Sequence, residues 1–598
     1  MNENLILVQS TLFNEQSIGR GKWTIFNPEN NKSVVAVGKN KFPEILNILI
    51  ENGKIPEELK ESHGWLFQRK KNYQKELSDL YWLSTYNAEF RDYTRKDWFQ
   101  RDNETMKFFS TYGLPPEPTT FRGNSFVEKY EDFPLDFEGN EFEQLKKILF
   151  FLFQPKEIIS GANPSSKKVV PSGGGKHPVE ISLKFPKGVV DFPQGEFAYD
   201  INSHDFLKIS NEFSVYEKNI EIRLSLRVER AMWRYRDMRS FRALFLDLGH
   251  VISMLNSLCL FVGWSVDNVR ICSPDFKNNG WIEEPAIISA TIRAEKKKYG
   301  IIHVENQDSI GTESVVQVIT SPFVYFRILE SKILAHTDYL QRNDVEISKR
   351  EFELLTHALP SRRGDRNIEV DVLCSYFHIS KNRLKELMER GLLLPLEQGI
   401  ELHKQVMKWS SKNWYINLLF LLNQVTGSNT EINNKKIQFQ ETPVVQLNRQ
   451  TERSLLSSEV SSEKIEELEN ILSACKELSM KVFINLRNVQ GREKKNLEIY
   501  SDKEMEILSV EKVRKIVTNQ LFAGKGAIDV FLVREFEQSN YLSRLVELGI
   551  IAQNIITRAT EIELGVFMTP AINDECAKEL LELDSENFAI YYLGVGNV

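Results

Sequence analysis

The chain has 598 residues, 41% of them hydrophobic and 27% charged, which is enough to bury several cores of ordinary domain size. Its formal net charge of -7 argues against a broad nucleic-acid surface, because such binding needs many basic side chains against the phosphates. The five cysteines lack zinc-ligand spacing, the start lacks a secretory signal, and the apolar runs are too short for a bilayer. We therefore expect a cytoplasmic protein with reduced thiols, no metal site and no membrane contact.

The N-terminal segment, residues 1–70, predicts a small domain of its own. A strand-like apolar run occupies 33–37, and a helical apolar pattern occupies 41–51. This combination indicates a small α/β or winged-helix-like unit ahead of the larger domains.

A loop with three consecutive glycines follows, where residues 169–180 read VVPSGGGKHPVE. It is not a phosphate-binding P-loop, because Val170 stands where that motif needs its first glycine and His177 where it needs Ser or Thr. It is not a dinucleotide loop either, because Pro178 opens a strand-like run rather than a helix. Since glycines leave the backbone bare, the loop either approaches a flat, bulky ligand or simply turns tightly into an edge strand.

A stretch in the middle of the chain recurs 300 residues later. Residues 245–255 read FLDLGHVISML, and residues 545–555 read LVELGIIAQNI. Each stretch has an apolar helical pattern and follows a strand-like run, at 220–228 and at 528–533. The repeat predicts two copies of one α+β unit.

Between the copies, residues 370–394 read VDVLCSYFHISKNRLKELMERGLLL. The pattern predicts two short helices with Ser380 as the N-cap of the second, and it looks like a winged helix-turn-helix. The second helix mixes charges evenly instead of presenting a basic face, so DNA binding is not expected from it.

Five short motifs stand in a defined order along the chain. The first half has the loop at 171–180, then Arg234-Tyr235, then DLGH at 247–250. The second half has RQTERS at 449–454 and MTPAIN at 568–573. Together they resemble the azoline dehydrogenase branch (McbC/SagB type) of the nitroreductase superfamily, whose members are FMN enzymes of thiazole- and oxazole-modified peptide biosynthesis. The resemblance implies a mixed α+β fold.

The resemblance also implies one FMN site to which both halves contribute. The residues that it places at the cofactor are Pro171, Ser172, Gly173, Gly174, Arg449, Thr451, Arg453, Thr569, Pro570 and Ala571. Ser172 and the N–H groups of Gly173 and Gly174 are expected to face the flavin, and Arg449 is expected to hold the phosphate.

The family carries a Lys-Tyr pair where this chain has Arg234-Tyr235. A guanidinium stays protonated, so it cannot act as a base. The resemblance therefore implies that Tyr235 transfers the proton and that Arg234 stabilises developing negative charge.

Each half matches only part of the family's site, and the two parts are complementary. The resemblance thus implies tandem nitroreductase-like domains that form an intramolecular pseudo-dimer with one complete and one degenerate site. The expected domains are the N-terminal unit at 1–70, nitroreductase-like domain A at 71–345, a winged-helix-like domain at 346–400 and nitroreductase-like domain B at 401–598. The small accessory domains can offer a groove to a leader peptide or a partner protein.

Under this resemblance the expected reaction is FMN-dependent oxidation of peptide thiazolines or oxazolines to thiazoles or oxazoles, with electrons passed to oxygen. It would belong to the maturation of a ribosomal peptide antibiotic, such as a thiopeptide. The expected partners are a precursor peptide bearing azoline rings and cyclodehydratase proteins, and a homodimer is left open. Two alternatives also stay open: an NAD(P)H-dependent nitro or quinone reductase on the same fold, and a non-catalytic scaffold that docks the precursor peptide.

Overall fold

A computed structural model describes the chain in segments. The described residues are 5–11, 21–27, 32–36, 65–66, 94, 97, 100, 136–159, 165–187, 192–201, 204–214, 219–235, 240–274, 284–293, 317–329, 332–339, 343–358, 368–410, 415–434, 438–477, 480–493, 495–499, 504–535, 540–584 and 587–598. The helix expected at 41–51 lies outside them.

Both strands and helices occur along these segments. The described strands are β1 (Leu5–Thr11), β2 (Gly21–Asn27), β3 (Lys32–Ala36), β4 (Trp65–Leu66), β5 (Glu157–Ile159), β6 (Ser165–Lys167), β7 (Val179–Lys184), β8 (Glu196–Asp200), β9 (Asp205–Ser210), β10 (Ile220–Leu226), β11 (Ser265–Ile271), β12 (Ala286–Arg293), β13 (Val318–Thr320), β14 (Tyr325–Leu329), β15 (Lys332–Thr337), β16 (Asn343–Ile347), β17 (Leu393–Pro395), β18 (Lys481–Leu486), β19 (Lys495–Ile499), β20 (Glu504–Met505), β21 (Ile528–Glu535), β22 (Gly565–Thr569) and β23 (Asn587–Gly596). The described α-helices are α1 (Glu141–Phe153), α2 (Val228–Tyr235), α3 (Ser240–Phe261), α4 (Lys349–His357), α5 (Val370–Phe377), α6 (Lys381–Glu389), α7 (Leu396–Ser410), α8 (Tyr415–Val425), α9 (Ser462–Glu477), α10 (Val510–Ile516), α11 (Tyr541–Glu561) and α12 (Asp574–Leu580).

The chain divides into two compact units, and both are discontinuous in sequence. The smaller comprises 1–85, 273–283 and 305–428, and the larger comprises 86–272, 284–304 and 429–598. This division differs from the four consecutive segments expected above, because β14 pairs antiparallel with β1, bringing Ile328 opposite Leu5. Strands β14, β15 and β16 therefore fold with the N-terminal strands rather than with the expected nitroreductase-like domain A.

The smaller unit contains a seven-stranded sheet in the order β16-β15-β14-β1-β2-β3-β4. A hydrophobic core joins that sheet to helices α4, α5 and α6 through residues such as Phe326, Phe352 and Leu384. The two helices expected around Ser380 are present, and the Ser380 hydroxyl caps α6 by accepting from the Arg383 amide at 3.2 Å.

The larger unit contains two six-stranded antiparallel sheets. The first has the order β11-β12-β10-β7-β8-β9 and the second the order β22-β23-β21-β18-β19-β20. Numbered by position along its own half, each sheet therefore runs fifth, sixth, fourth, first, second, third. Along β10 buried and half-buried residues alternate without a break, as its apolar-polar alternation predicts.

One long helix follows the fourth strand of each sheet, and the two helices cross at Gly249 of α3 and Gly549 of α11. A Cβ atom on Gly249 would lie 2.1 Å from the Val546 carbonyl oxygen, and one on Gly549 would lie 2.3 Å from the Leu246 carbonyl oxygen. The repeated glycine thus lets the two backbones touch. Helix α3 is long and apolar enough to cross a membrane by length and composition, yet 89% of its most apolar window is buried inside the protein, as in a core helix.

Candidate functional site

A cleft of about 630 Å³ lies inside the larger unit, with the glycine loop of the first half on one side and segments of the second half on the other. The residues expected at a cofactor all line it: Pro171, Ser172, Gly173, Gly174, Arg449, Thr451, Arg453, Thr569, Pro570 and Ala571. The fold therefore brings together side chains that are far apart in sequence.

The glycine loop forms a tight 3-10 turn shortly before the start of β7. Gly174 and Gly175 have φ of 60° and 64°, a left-handed conformation that side chains disfavour. His177 ends the turn, and its ring Nε2 lies 2.9 Å from the Ser166 carbonyl oxygen. The three glycines thus serve a backbone turn that runs along the cleft wall.

Asp247 of α3 holds this loop in place. Its carboxylate accepts hydrogen bonds from the Ser172 hydroxyl at 2.5 Å and from the Gly173 amide at 3.1 Å. The Ser172 hydroxyl oxygen in turn accepts from the His177 amide at 2.9 Å. The hydroxyl and the amide that were expected to face a flavin are therefore bound to Asp247, because a buried carboxylate needs donors. Burial raises the pKa of Asp247 to about 7, against the lowering effect of those two donors.

Arg449 is the most unusual side chain of the cleft. It is only 7% exposed, and its Nη2 donates to the Lys168 carbonyl oxygen at 2.8 Å. Its Nε and Nη1 have no hydrogen-bond partner among the described residues. Burial lowers the pKa of this guanidinium to about 10, so it stays charged at neutral pH. A buried cation with two unused N–H donors fits an anionic group that enters the cleft.

Two lysines of the first half lie next to Arg449. Lys156 donates from Nζ to the carbonyl oxygens of Leu447 and Arg449, at 2.7 and 2.5 Å, and so fixes the start of the second-half segment. Lys168 lines the cleft and is 7% exposed. Burial, reinforced by neighbouring arginines, lowers the pKa of Lys156 to about 8 and that of Lys168 to about 7.

The opposite wall comes from the second half. The Thr569 hydroxyl accepts from Gln520 Nε2 at 3.0 Å and from the Ala571 amide at 3.1 Å, which orders the short segment after β22. The Arg453 guanidinium lies 5.5 Å from the centre of the Phe522 ring. An aromatic ring, a cation and a rigid backbone segment make this wall suited to a flat ligand.

A strained turn borders the same wall. Thr518, which also lines the cleft, has φ of 56°, and Asn519 has φ of 58°. A β-branched residue seldom adopts this conformation, and such strain concentrates at functional sites.

The structure describes only the backbone of the two residues that were expected to take part in proton transfer. Arg234 and Tyr235 are the last two residues of α2, and their side chains lie outside the described part of the structure. Their roles therefore stay predictions.

Sequence reasoning missed several cleft residues. Asp247 lines the cleft and belongs to the DLGH motif noted above, so its pattern was a usable signal, although it was assigned no role. Tyr591 and Lys168 line the cleft without any motif around them. A second cavity of about 800 Å³ shares Arg449, Gln450 and Glu452 with the cleft, and six glutamates line it, so it suits an anionic ligand less well.

No protein-family model matches the chain. The trifolitoxin-processing protein TfxB of Rhizobium leguminosarum bv. trifolii is 30% identical in a 101-residue alignment, and the match covers 14% of this chain and 27% of that relative's length. A solved protein from Anabaena variabilis, described as a nitroreductase, matches with a TM-score of 0.52 at 14% identity, covering 88% of this chain and 100% of that one. The E. coli microcin synthetase complex McbBCD, solved with truncated pro-MccB17 bound, matches with a TM-score of 0.21 at 17% identity, covering 28% of this chain and 79% of that one.

The match to the microcin synthetase complex is too slight to support a conclusion. The match to the Anabaena protein covers most of the chain. The protein accordingly has a mixed helix and sheet architecture with a nitroreductase-like fold.

Proposed function

We propose that the protein binds FMN in the cleft and oxidises thiazolines or oxazolines of a precursor peptide to thiazoles or oxazoles. The observation that carries the proposal is the cleft itself, in which a bare glycine turn of one half faces Arg449 of the other. We further propose that the two six-stranded sheets are tandem nitroreductase-like domains forming an intramolecular pseudo-dimer with one complete FMN site. The nitroreductase-like fold supports this reading.

The residues present fit FMN at two points. The two unpartnered N–H groups of Arg449, with the nearby positive charge of Lys156, suit a phosphate monoester. The turn at Gly174 and the Phe522 ring suit the flat ring system. Ser172 and Gly173 contribute through backbone shape, since Asp247 already occupies the hydroxyl and the Gly173 amide.

Aromatising an azoline removes a proton from one carbon and a hydride from its neighbour. FMN, when bound, supplies the hydride acceptor, and oxygen takes the electrons afterwards. The protein supplies position and proton transfer. Tyr235 takes the proton and Arg234 stabilises the negative charge that develops, since the guanidinium itself cannot act as a base.

The choice of a peptide substrate draws on the relative named for trifolitoxin processing, with which this chain shares a 101-residue stretch. A protein that processes a toxin needs access to the precursor on which it acts. The smaller unit has the sheet and the short helices with which a leader peptide or a cyclodehydratase partner could be bound.

The experiment is an assay of the purified protein with a thiazoline-bearing peptide in air. We expect a yellow protein that releases FMN on denaturation, and a product lighter by two hydrogen atoms per ring. The variant Arg449→Gln should bind FMN roughly tenfold to hundredfold more weakly, because it loses a charge-assisted hydrogen bond. The control Arg492→Gln removes a surface arginine that pairs with Glu469 at 2.6 Å, and it should bind FMN normally.

The same assay separates the alternatives. A colourless protein that binds no added FMN would be the docking scaffold. Rapid flavin reduction by NAD(P)H, with no change in the peptide, would instead identify a nitro or quinone reductase.

A further inference from the structure

Tyr591 and His250 form a buried pair that reaches from the helix crossing to the cleft. Tyr591, on β23, lines the cleft and is 4% exposed. Its hydroxyl oxygen lies 3.1 Å from Nε2 of His250 on α3, and the two rings meet edge to face with centroids 5.7 Å apart. His250 is 1% exposed. A residue of the first half thus supports a cleft residue of the second half.

The other ring nitrogen of His250 sets the direction of this contact. Its Nδ1 lies 3.1 Å from the side-chain oxygen Oε1 of Gln553, whose amide nitrogen donates to the Thr557 hydroxyl at 3.1 Å. Because an amide oxygen only accepts, Nδ1 must carry the ring hydrogen. Burial lowers the pKa of His250 to about 3, which keeps the imidazole neutral. Nε2 is then a bare acceptor, and the hydroxyl hydrogen of Tyr591 points towards it.

We propose that Tyr591 is a further ligand-binding residue of the cleft, and that its phenolic oxygen accepts a hydrogen bond from the N–H of a bound heterocyclic imide. That is the chemistry carried by the pyrimidine edge of an isoalloxazine, so the inference rests on the proposed FMN site. Since its hydrogen is committed to His250, the Tyr591 hydroxyl can take a further hydrogen bond only as an acceptor.

Because Tyr591 can only accept, it favours one edge of the ligand's ring system on the side of β23. A ring carbonyl at the same place would meet a second acceptor and would be disfavoured, whereas an imide N–H is matched. His250 acts through Tyr591 and is a positioning residue. The Gln553 amide cannot pass a proton on. The series of hydrogen bonds from Gln553 through His250 to Tyr591 therefore fixes the direction of the Tyr591 hydroxyl and does not conduct protons.

The first test needs no flavin. Nitrogen-15 NMR of the FMN-free protein, with His250 assigned by its loss in His250→Gln, should show a neutral ring protonated at Nδ1 between about pH 6 and 8. A ring protonated at Nε2 would reverse the direction of the chain and overturn the proposal.

The second test is a cycle of FMN affinities. Wild type and Tyr591→Phe are each titrated with FMN and with FMN methylated at the imide nitrogen. Each single change should weaken binding roughly tenfold, and the two together should cost no more than either, because they remove the same hydrogen bond. The wild-type arm with the methylated flavin works even where the variant folds poorly.

The matched control is Tyr592→Phe, on the other side of the same strand. Its hydroxyl donates to Asp529 at 2.6 Å inside the core, so its removal should leave both affinities unchanged. Additive losses in the cycle would overturn the Tyr591 contact while leaving the FMN site intact. If Tyr591→Phe left the FMN affinity unchanged and raised the KM for the peptide, Tyr591 would contact the substrate rather than FMN. That result would also overturn the proposed contact. Wild-type protein that binds no FMN would refute the proposed function itself, and the Tyr591 contact with it.

Discussion

Asp247 is a buried carboxylate that accepts hydrogen bonds from the hydroxyl of Ser172 and the amide of Gly173, and it has no basic partner among the described residues. Burial penalises its charged form more than these two donors favour it, so its pKa rises from the ordinary 3.8 to about 7. The group that holds the glycine loop is therefore one that titrates near neutral pH.

A dependence of stability on pH follows from that raised pKa. Between about pH 4 and pH 7 the folded protein keeps a proton on Asp247 that the unfolded chain releases. The free energy of unfolding should therefore fall as the pH rises through this window. In Asp247→Asn the fall should be shallower, because the amide does not titrate. Urea unfolding of the flavin-free protein at several pH values measures this slope.

The control for that slope is Asp136→Asn. Asp136 is an exposed carboxylate whose pKa is lowered by hydrogen bonding to Lys147, so it is fully ionised above about pH 5 in both states. Its removal should leave the slope above that pH as in wild type. Equal slopes in wild type and Asp247→Asn would show that Asp247 is ionised when folded.

At the scale of single residues, the residues that short motifs picked out line the cleft, whereas cleft residues outside a motif were missed. The loop at Ser172 and the arginine at 449 lie in short patterns, and both line the cleft. Tyr591 sits in an apolar strand that reads like any core strand, so only the pairing of β23 brings it to the site. The Ser172 hydroxyl shows a further limit, because its partner Asp247 is 75 residues away.

Among the secondary-structure elements, the crossing of α3 and α11 carries the strongest constraint. Gly249 and Gly549 face each other, and the backbones of the two helices are in contact there. Sequence predicted both helices and the strands before them, because long apolar patterns and strict alternation are strong local signals. It did not show that the repeated glycine marks a crossing point, which depends on how the halves pack.

Gly249→Ala tests this crossing. In an exposed helix the same change stabilises by up to about 1 kcal/mol, because alanine loses less entropy on folding. Here the added methyl would meet the Val546 carbonyl oxygen and the Gly549 backbone, so we expect a loss of about 3 kcal/mol or more. Chemical denaturation measures the change. A variant as stable as wild type would show that the helices can move apart at little cost.

At the scale of the whole molecule, the domain boundaries were the least predictable feature. Local patterns suggest consecutive segments, whereas both compact units are assembled from separated stretches of chain. The reason is the antiparallel pairing of β14 with β1, a contact across more than 300 residues that no local pattern encodes. The shared strand order of the two six-stranded sheets is likewise visible only in the fold.

The proposed pseudo-dimer predicts the cofactor content. The Pro-Ser-Gly loop precedes β7, whereas the corresponding strand β18 is preceded by Leu478-Ser479-Met480. Only one of the two related positions therefore has a bare loop, and we expect one FMN per chain. The ratio of flavin released on denaturation to protein measures it. Two flavins per chain would mean that the second position also binds and would contradict a degenerate site.

The two sheets of equal strand order also bear on how such a protein can evolve. In a homodimer of identical chains every substitution appears at both sites, so neither site can change alone. Two sheets within one chain remove that coupling, because a change near β18 need not be matched near β7. One half is then free to acquire new contacts while the other keeps the glycine turn. The crossing at Gly249 and Gly549 is the exception, since either glycine can be replaced only if its counterpart makes room.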